Sequence, residues 1–497
     1  MAVKRLDKSK IPGLALILAL SLTGWGQTQG PLGYSIATPR PISPAEGTTT
    51  PDAQATQRQN PYLGSVPSRN TGTRIRLSLK GAIERAVRYN LGVVESSHAS
   101  ADVRADRMRA LAALLPQLSA AAQQGYDNIS FKEIGLKLPP IPGLPPLPST
   151  TGGFGYQDVR VSLAQSVYNA ELRNHYRARK SDERASELSV QDARDVVVFA
   201  VGTAYLQVVA SAARVETARA QVASAQELDE QTANRVKTEV SPEIDSIRAQ
   251  VERQSAEQRL RNTTSQLEKD ELTIARIIGL AVDQEFELSD PLTYHALQGI
   301  TSETATEEAL RVRSDLRSAE ASLEAASFDL RAQKTQRLPV VSVSANYGGA
   351  GSNVGNFNQV YSVSGNVSVP IFTGGRIHAD IEQAQADLAR RQAEYEDLKG
   401  RVAYDVRVAW LDLSASDSSV KVAERNKALA GQAMTQSQDR YANGVTNYLE
   451  VVQAQEAVTV ASENYIQSVF SYQFAMIALA RAMGGAETKL AELLGAE

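Results

Sequence analysis

The chain contains no cysteine. That excludes disulfides, a thiol nucleophile, thiolate metal sites and a lipidated N-terminal cysteine. Histidine is scarce, with His98, His175, His295 and His378 the whole set. No two stand four residues apart, so no metal site is expected. No serine-nucleophile motif or clustered acid pair emerges, so neither an enzyme nor a cofactor is expected. Gly348-Gly349-Ala350-Gly351 lacks the Gly-Lys-Ser/Thr continuation of a phosphate loop and reads as a hairpin loop. An excess of one charge is also missing. The 52 basic residues face 56 acidic ones, for a formal net charge of −4, so nucleic acid is not an expected partner. After the N-terminal stretch, no apolar run is expected to approach the roughly eighteen residues of a membrane helix. The options left are a soluble protein or a membrane β-barrel.

What is present begins with a secretory leader, expected over 1–26. Lys4, Arg5, Lys8 and Lys10 precede an apolar stretch at 11–23, and Gly24 and Gly26 suit the cleavage site. Residues 27–74, rich in Pro, Thr, Ser, Gly and Gln, read as a disordered periplasmic extension because they bury too little apolar surface.

The remainder repeats. Leu115-Pro116-Gln117-Leu118-Ser119 matches Leu338-Pro339-Val340-Val341-Ser342; Ser166-Val167-Tyr168-Asn169 matches Pro370-Ile371-Phe372-Thr373. Arg235, Ile244-Asp245 and Ala249-Gln250 match Arg440, Leu449-Glu450 and Ala454-Gln455. The order is the same in both halves, which argues for internal duplication. The first copy carries a longer loop around the Pro-rich stretch 138–148.

The first repeat is read over 75–290: a helix, strands at about 115–128 and 155–169, a long helix at 173–238 and a helix at 242–280. The second is read over 291–485: a helix, strands at about 338–348 and 358–372, a long helix at 376–442 and a helix at 448–483. A tail follows at 486–497. The strands alternate apolar and small polar residues, as in Val341, Val343, Ala345 and Tyr347 against Ser342, Ser344 and Asn346. The segment 118–126 alternates poorly. The long helices lack Gly and Pro almost throughout and would each extend roughly 100 Å at about 1.5 Å per residue, a coiled-coil length. At the turns, Ser241-Pro242-Glu243 reads as an N-cap, a first-turn proline and an acidic first turn. Gly444 suits a positive-φ helix end, and Thr446 reads as the next cap.

Four strands per chain leave open edges, which lipid does not tolerate, so an oligomer is required. Three chains supply twelve strands, an even number. The expected fold is an α+β membrane protein: a homotrimeric 12-stranded β-barrel, four strands per chain, continuous with a long periplasmic α-helical coiled-coil barrel.

At these repeated motifs the chain resembles the outer-membrane efflux protein family, the TolC-like channels. The resemblance is carried by Leu77-Ser78-Leu79-Lys80-Gly81-Ala82-Ile83, Leu114-Leu115-Pro116-Gln117-Leu118, Arg337-Leu338-Pro339, Val369-Pro370-Ile371-Phe372-Thr373-Gly374-Gly375-Arg376, and Arg440-Tyr441-Ala442-Asn443-Gly444-Val445 with Leu449-Glu450-Val451 and Ala454-Gln455. It covers about 77–485. It implies an exit channel of a tripartite export system in the outer membrane, with its helical tunnel in the periplasm. Its partners would be a periplasmic adaptor (membrane fusion) protein, an inner-membrane pump and outer-membrane lipid. Small molecules or proteins would pass through, and the channel itself performs no chemistry.

The resemblance also implies a periplasmic gate at Tyr441, Glu450, Asp245 and Gln453. On a three-fold axis, facing Glu450 carboxylates would repel one another and attract cations. Gln453 stands where a second carboxylate can occur, Thr446 where a gate arginine can occur, and Glu239 where glycine is expected. Adaptor docking is assigned to Val240, Ser241, Pro242, Gly444, Val445 and Thr446. Pro370, Gly374 and Gly375 are read as the strand–helix junction, the glycines turning the chain. The competing reading is a secreted coiled-coil envelope scaffold without channel activity, which leaves the twice-repeated strands unexplained.

Overall fold

A computed structural model describes residues 60–490, apart from 71, 132–134, 136–148, 290–293, 297, 298, 300, 353, 354 and 488. The leader, most of the extension, the Pro-rich loop and most of the tail lie outside the described residues.

Four strands form one antiparallel sheet: β2 (Gln117–Asp127), β3 (Phe154–Tyr168), β5 (Val340–Gly351) and β6 (Phe357–Ser368), in the order β2-β3-β5-β6. Directly opposed residues share a face, so the register sorts side chains into rows. Leu118, Leu163, Ala345 and Val363 make one row; Ala120, Val161, Tyr347 and Tyr361 make the next. On the opposite face run Ser119, Ser162, Asn346 and Ser362. There the Asn346 amide donates to the Ser362 hydroxyl at 2.8 Å. The poorly alternating segment 118–126 is thus a full ladder partner of β3; its small alanines fit either face, and the neighbouring strand decides. Leu118, Tyr126, Tyr361 and Val363 are each more than 70% exposed on this chain. A sheet face this apolar, lacking cover, marks a contact surface.

The helix preceding the sheet in each half is two helices. In the first half they are α1 (Leu79–Tyr89) and α2 (Leu91–Ala112), broken at Asn90; in the second, α5 (Ser302–Val312) and α6 (Ser314–Thr335), broken at Arg313. Both break residues are buried and leave helical geometry. Each also ties to the end of the last helix of its own half, α4 (Glu243–Ile278) or α8 (Tyr448–Met483). The Asn90 amide donates to the Ile277 carbonyl at 3.3 Å, and the Arg313 guanidinium to the Ala482 carbonyl at 3.4 Å. Those helices end at Gly279 and Gly484, both at positive φ. A Cβ on Gly279 would lie 2.8 Å from the Tyr89 Cβ and 2.9 Å from the Val66 carbonyl, so only glycine fits.

The long rods are α3 (Ala170–Lys237) and α7 (Arg376–Ala442). Asn169 caps α3, accepting from the Leu172 amide at 3.0 Å. The expectation of no membrane-length apolar run needs correction here. One window of α3 passes that test by length and composition, yet more than half of it is buried within the chain. It is the core segment carrying Val197, Val198, Val201, Tyr205 and Val208, packed on Ile274, Ile278 and Ile477. A second core joins α5, α7 and α8 through Val402, Val406, Tyr472 and Met476.

Regular structure also starts earlier than residue 75. Pro61–Leu63 form a 3-10 turn, and Tyr62 packs on the core. The Ser68 hydroxyl donates to the Gly279 carbonyl at 2.9 Å. A short parallel pair, β1 (Ile75–Leu77) with β4 (Phe286–Leu288), adds a second small sheet. Neither was legible, because three-residue strands carry too little periodicity and the turn sits in a Pro/Ser-rich stretch.

Candidate functional site

The two helix hairpins, α3–α4 and α7–α8, end in turns of closely similar geometry. In the first, the Val240 and Ser241 amides donate to the Arg235 carbonyl at 2.9 and 3.3 Å; in the second, the Val445 amide donates to the Arg440 carbonyl at 2.9 Å. Closing such a turn needs one left-handed residue. Gly444 supplies it at φ 72°, and Glu239 at φ 59°, the one non-glycine residue with positive φ among those described. The first tip therefore keeps the geometry without its glycine, at a cost of roughly 1–2 kcal/mol. Glu239→Gly should relieve this and slow hydrogen exchange at the Val240 and Ser241 amides. Unchanged or faster exchange would show that the turn stores no such strain.

The caps differ from expectation. Ser241 does not cap: α4 starts at Glu243, with Pro242 in the cap position and no side-chain bond. Thr446 does not cap either. Asn447 does, accepting from the Glu450 amide at 3.3 Å, while the Thr446 hydroxyl donates to the Glu450 carboxylate. Asn447 lies one residue nearer the helix, the distance at which a short side chain reaches the third amide.

A small core joins the hairpins: Leu228, Ala249, Tyr441, Tyr448 and Val451. Tyr441 and Tyr448 meet edge to face at 6.2 Å. Burial, with Glu252 nearby, pushes the Tyr448 hydroxyl up to about 12, so it stays neutral. The Tyr441 hydroxyl is buried without a hydrogen-bond partner among the described residues. Tyr441 is thus held inside its own chain's tip. Glu450 pairs with Arg440 at 3.4 Å, and Asp245 with Arg248 at 3.6 Å. Gln453 is exposed. The structure brings Glu450 and Tyr441 into one turn; Asp245 belongs to the other hairpin. Among the docking residues, Val240, Pro242, Gly444 and Val445 are exposed, with Ser241 and Thr446 half-buried. Exposed Ile244, Ile247 and Leu449 extend this apolar tip surface.

Arg235, matched to Arg440 by the repeat, is a tip residue to which the sequence reading assigns no role. It lies 205 positions before Arg440, the same spacing that relates the two turns, and that spacing was the available signal.

At the opposite end of the rods, β6 stops at Ser368 and α7 starts at Arg376. Gly374 (φ 61°) and Gly375 (φ 87°) make the turn, following Pro370. Ile371 and Phe372 beside them are 96% and 89% exposed.

A sheet with an uncovered apolar face, prolonged through glycine turns into paired rods about 100 Å long, defines a membrane-sheet-and-rod protein. The outer membrane efflux protein family model matches residues 82–280 and 305–485, and the chain belongs to that family. It is similar to the outer membrane protein OprJ of Pseudomonas aeruginosa, at 28% identity over 38% of this chain and 40% of that one. It is also similar to the solvent efflux pump outer membrane protein SrpC of Pseudomonas putida, at 25% identity over 45% and 48% of the respective lengths. The chain thus spans less than half the length of either relative. The crystal structure of the outer membrane protein VceC from Vibrio cholerae shares the fold, with TM-score 0.69 and 19% identity over 82% of this chain and 96% of that one.

Proposed function

We propose that the chain is the outer-membrane exit channel of a tripartite export system, passing small molecules or proteins to the exterior. One observation carries this. β2 and β6 pair on one side only among the described residues, and the sheet's outward rows are apolar. Lipid tolerates neither a free edge nor an unpaired backbone. Three copies joined β6 to β2 make a closed twelve-stranded barrel, with the Ser/Asn rows lining water. The rods continue it as a tunnel in the periplasm, closed at the Tyr441/Glu450 end. The exposed tips receive a periplasmic adaptor, which links the channel to an inner-membrane pump.

The paired helix breaks, glycine ends and tip turns support one duplicated unit per chain, laid out as two repeats over 75–290 and 291–485.

The test is fractionation followed by planar-bilayer recording. An SDS-resistant trimer in the outer membrane that opens ion-conducting channels is expected, and Glu450→Ala should raise conductance and weaken cation block. A soluble monomer would sink the proposal, and unchanged conductance and block in Glu450→Ala would remove Glu450 from the gate.

A further inference from the structure

The two tips are alike in backbone but not in how their equivalent arginines are used. Arg440 turns back on its own hairpin and pairs with Glu450 at 3.4 Å. By the 205-residue spacing, Arg235 should meet Asp245 in the same way. It does not. Asp245 is taken by Arg248 within α4, and the Arg235 side chain crosses to the other hairpin. Its Nη1 donates to the Tyr441 carbonyl at 2.9 Å and the Ala442 carbonyl at 3.4 Å. Its guanidinium sits over the Tyr441 ring, 4.6 Å from the centroid.

We propose that Arg235 is an inter-hairpin latch, a positioning residue that ties the end of α7 to the end of α3 and so holds the periplasmic tips closed together. Three physical terms converge on this one side chain. The last carbonyls of α7 carry its partial negative charge, which favours a cation there; the Tyr441 carbonyl also accepts the Gly444 amide of the turn at 3.1 Å, so Arg235 adds the charged donor. One guanidinium nitrogen, Nη1, reaches both carbonyls while the planar group stays flat enough to face a ring. The Tyr441 ring supplies a cation–π face in a water-poor setting. Tyr441 cannot leave the tip core without breaking all three contacts. Arg440, by contrast, stiffens one turn and, among the described residues, ties nothing across. The second tip lacks an arginine after its glycine, where Thr446 stands; the cross-link comes from the first tip instead.

The latch rests on the channel reading above, and the experiment separates the two. Trimers of the full chain with R235Q, R235K or R440Q are recorded in planar bilayers beside the wild type, each checked for SDS-resistant assembly. R235Q removes the charge at nearly constant size. Loss of one charge-assisted hydrogen bond shifts a two-state equilibrium about tenfold or more, so open-state occupancy should rise by that factor. R440Q should stay at the wild-type level, a contrast that general loosening of the tips would not produce. R235Q at wild-type occupancy overturns the latch, as does R440Q opening to the same extent. If R235Q does not assemble, R235K decides: it keeps the charge but loses the planar guanidinium that faces the Tyr441 ring, and wild-type occupancy overturns the proposal. A wild-type protein that opens no conductance overturns the channel reading and the latch with it.

Discussion

Val363→Arg should keep this protein out of the outer membrane. Val363 sits mid-strand in β6, opposite Ala345, in the apolar row that also holds Leu118 and Leu163. It is 75% exposed on the chain, so the substitution meets no steric barrier and costs nothing in an isolated subunit. In the proposed barrel, arginine at the bilayer midplane would cost about 2–4 kcal/mol per copy, three times over in a trimer. The measurement is the ratio of outer-membrane trimer to soluble chain, with Ser362→Arg on the opposite face as comparator. If Val363→Arg inserts as well as wild type while Ser362→Arg does not, the two faces of the sheet have been assigned the wrong way round.

The second large effect is expected at the break between α5 and α6. The Arg313 side chain is 7% exposed, pairs with Asp315 at 2.6 Å and Asp405 at 3.3 Å, and also donates to the Ala482 carbonyl. Arg313→Ala leaves two carboxylates and a helix-end carbonyl facing a void. Breaking a buried pair by removing one partner costs about 3–5 kcal/mol, and the lower end applies because Asp405 is partly solvated. Burial alone would raise the Asp315 carboxyl; Arg313 outweighs it and holds the group below the ordinary carboxylate value. A depressed carboxylate contributes stability above its unfolded pKa and loses it as pH falls through the folded one. The gap between wild type and Arg313→Ala should therefore be full near neutrality and shrink below about pH 4. Denaturant unfolding at pH 7 and pH 3 reads this directly; a gap independent of pH would mean the arginine acts by packing alone.

Much of this protein could be read from its residues because repetition and periodicity are local properties. The β5 and β6 alternation, the rods nearly free of Gly and Pro, and the glycines at 374, 375 and 444 each announce a backbone state within a few positions. What escaped reading depends on contacts far along the chain. The register of β2, a segment read as a strand despite its poor alternation, is set by β3 beside it. Asn90 and Arg313 break helices because each reaches a helix end more than 150 residues away. Residue type alone makes Ser241 and Thr446 read as caps, whereas register decides which oxygen, if any, reaches the third amide.

The sequence by itself determined the family, the paired strands and rods, and the location of both tips. Those follow from composition, spacing and motif, which need no partner in space. The tertiary structure alone decided that Tyr441 is buried in a core shared by two hairpins, that Glu239 takes a glycine's conformation, and that Arg235 and Arg440, equivalent in the repeat, face different ways. A side chain's direction is set by the competition among all acceptors within its reach. That competition exists only once α3 and α7 lie side by side.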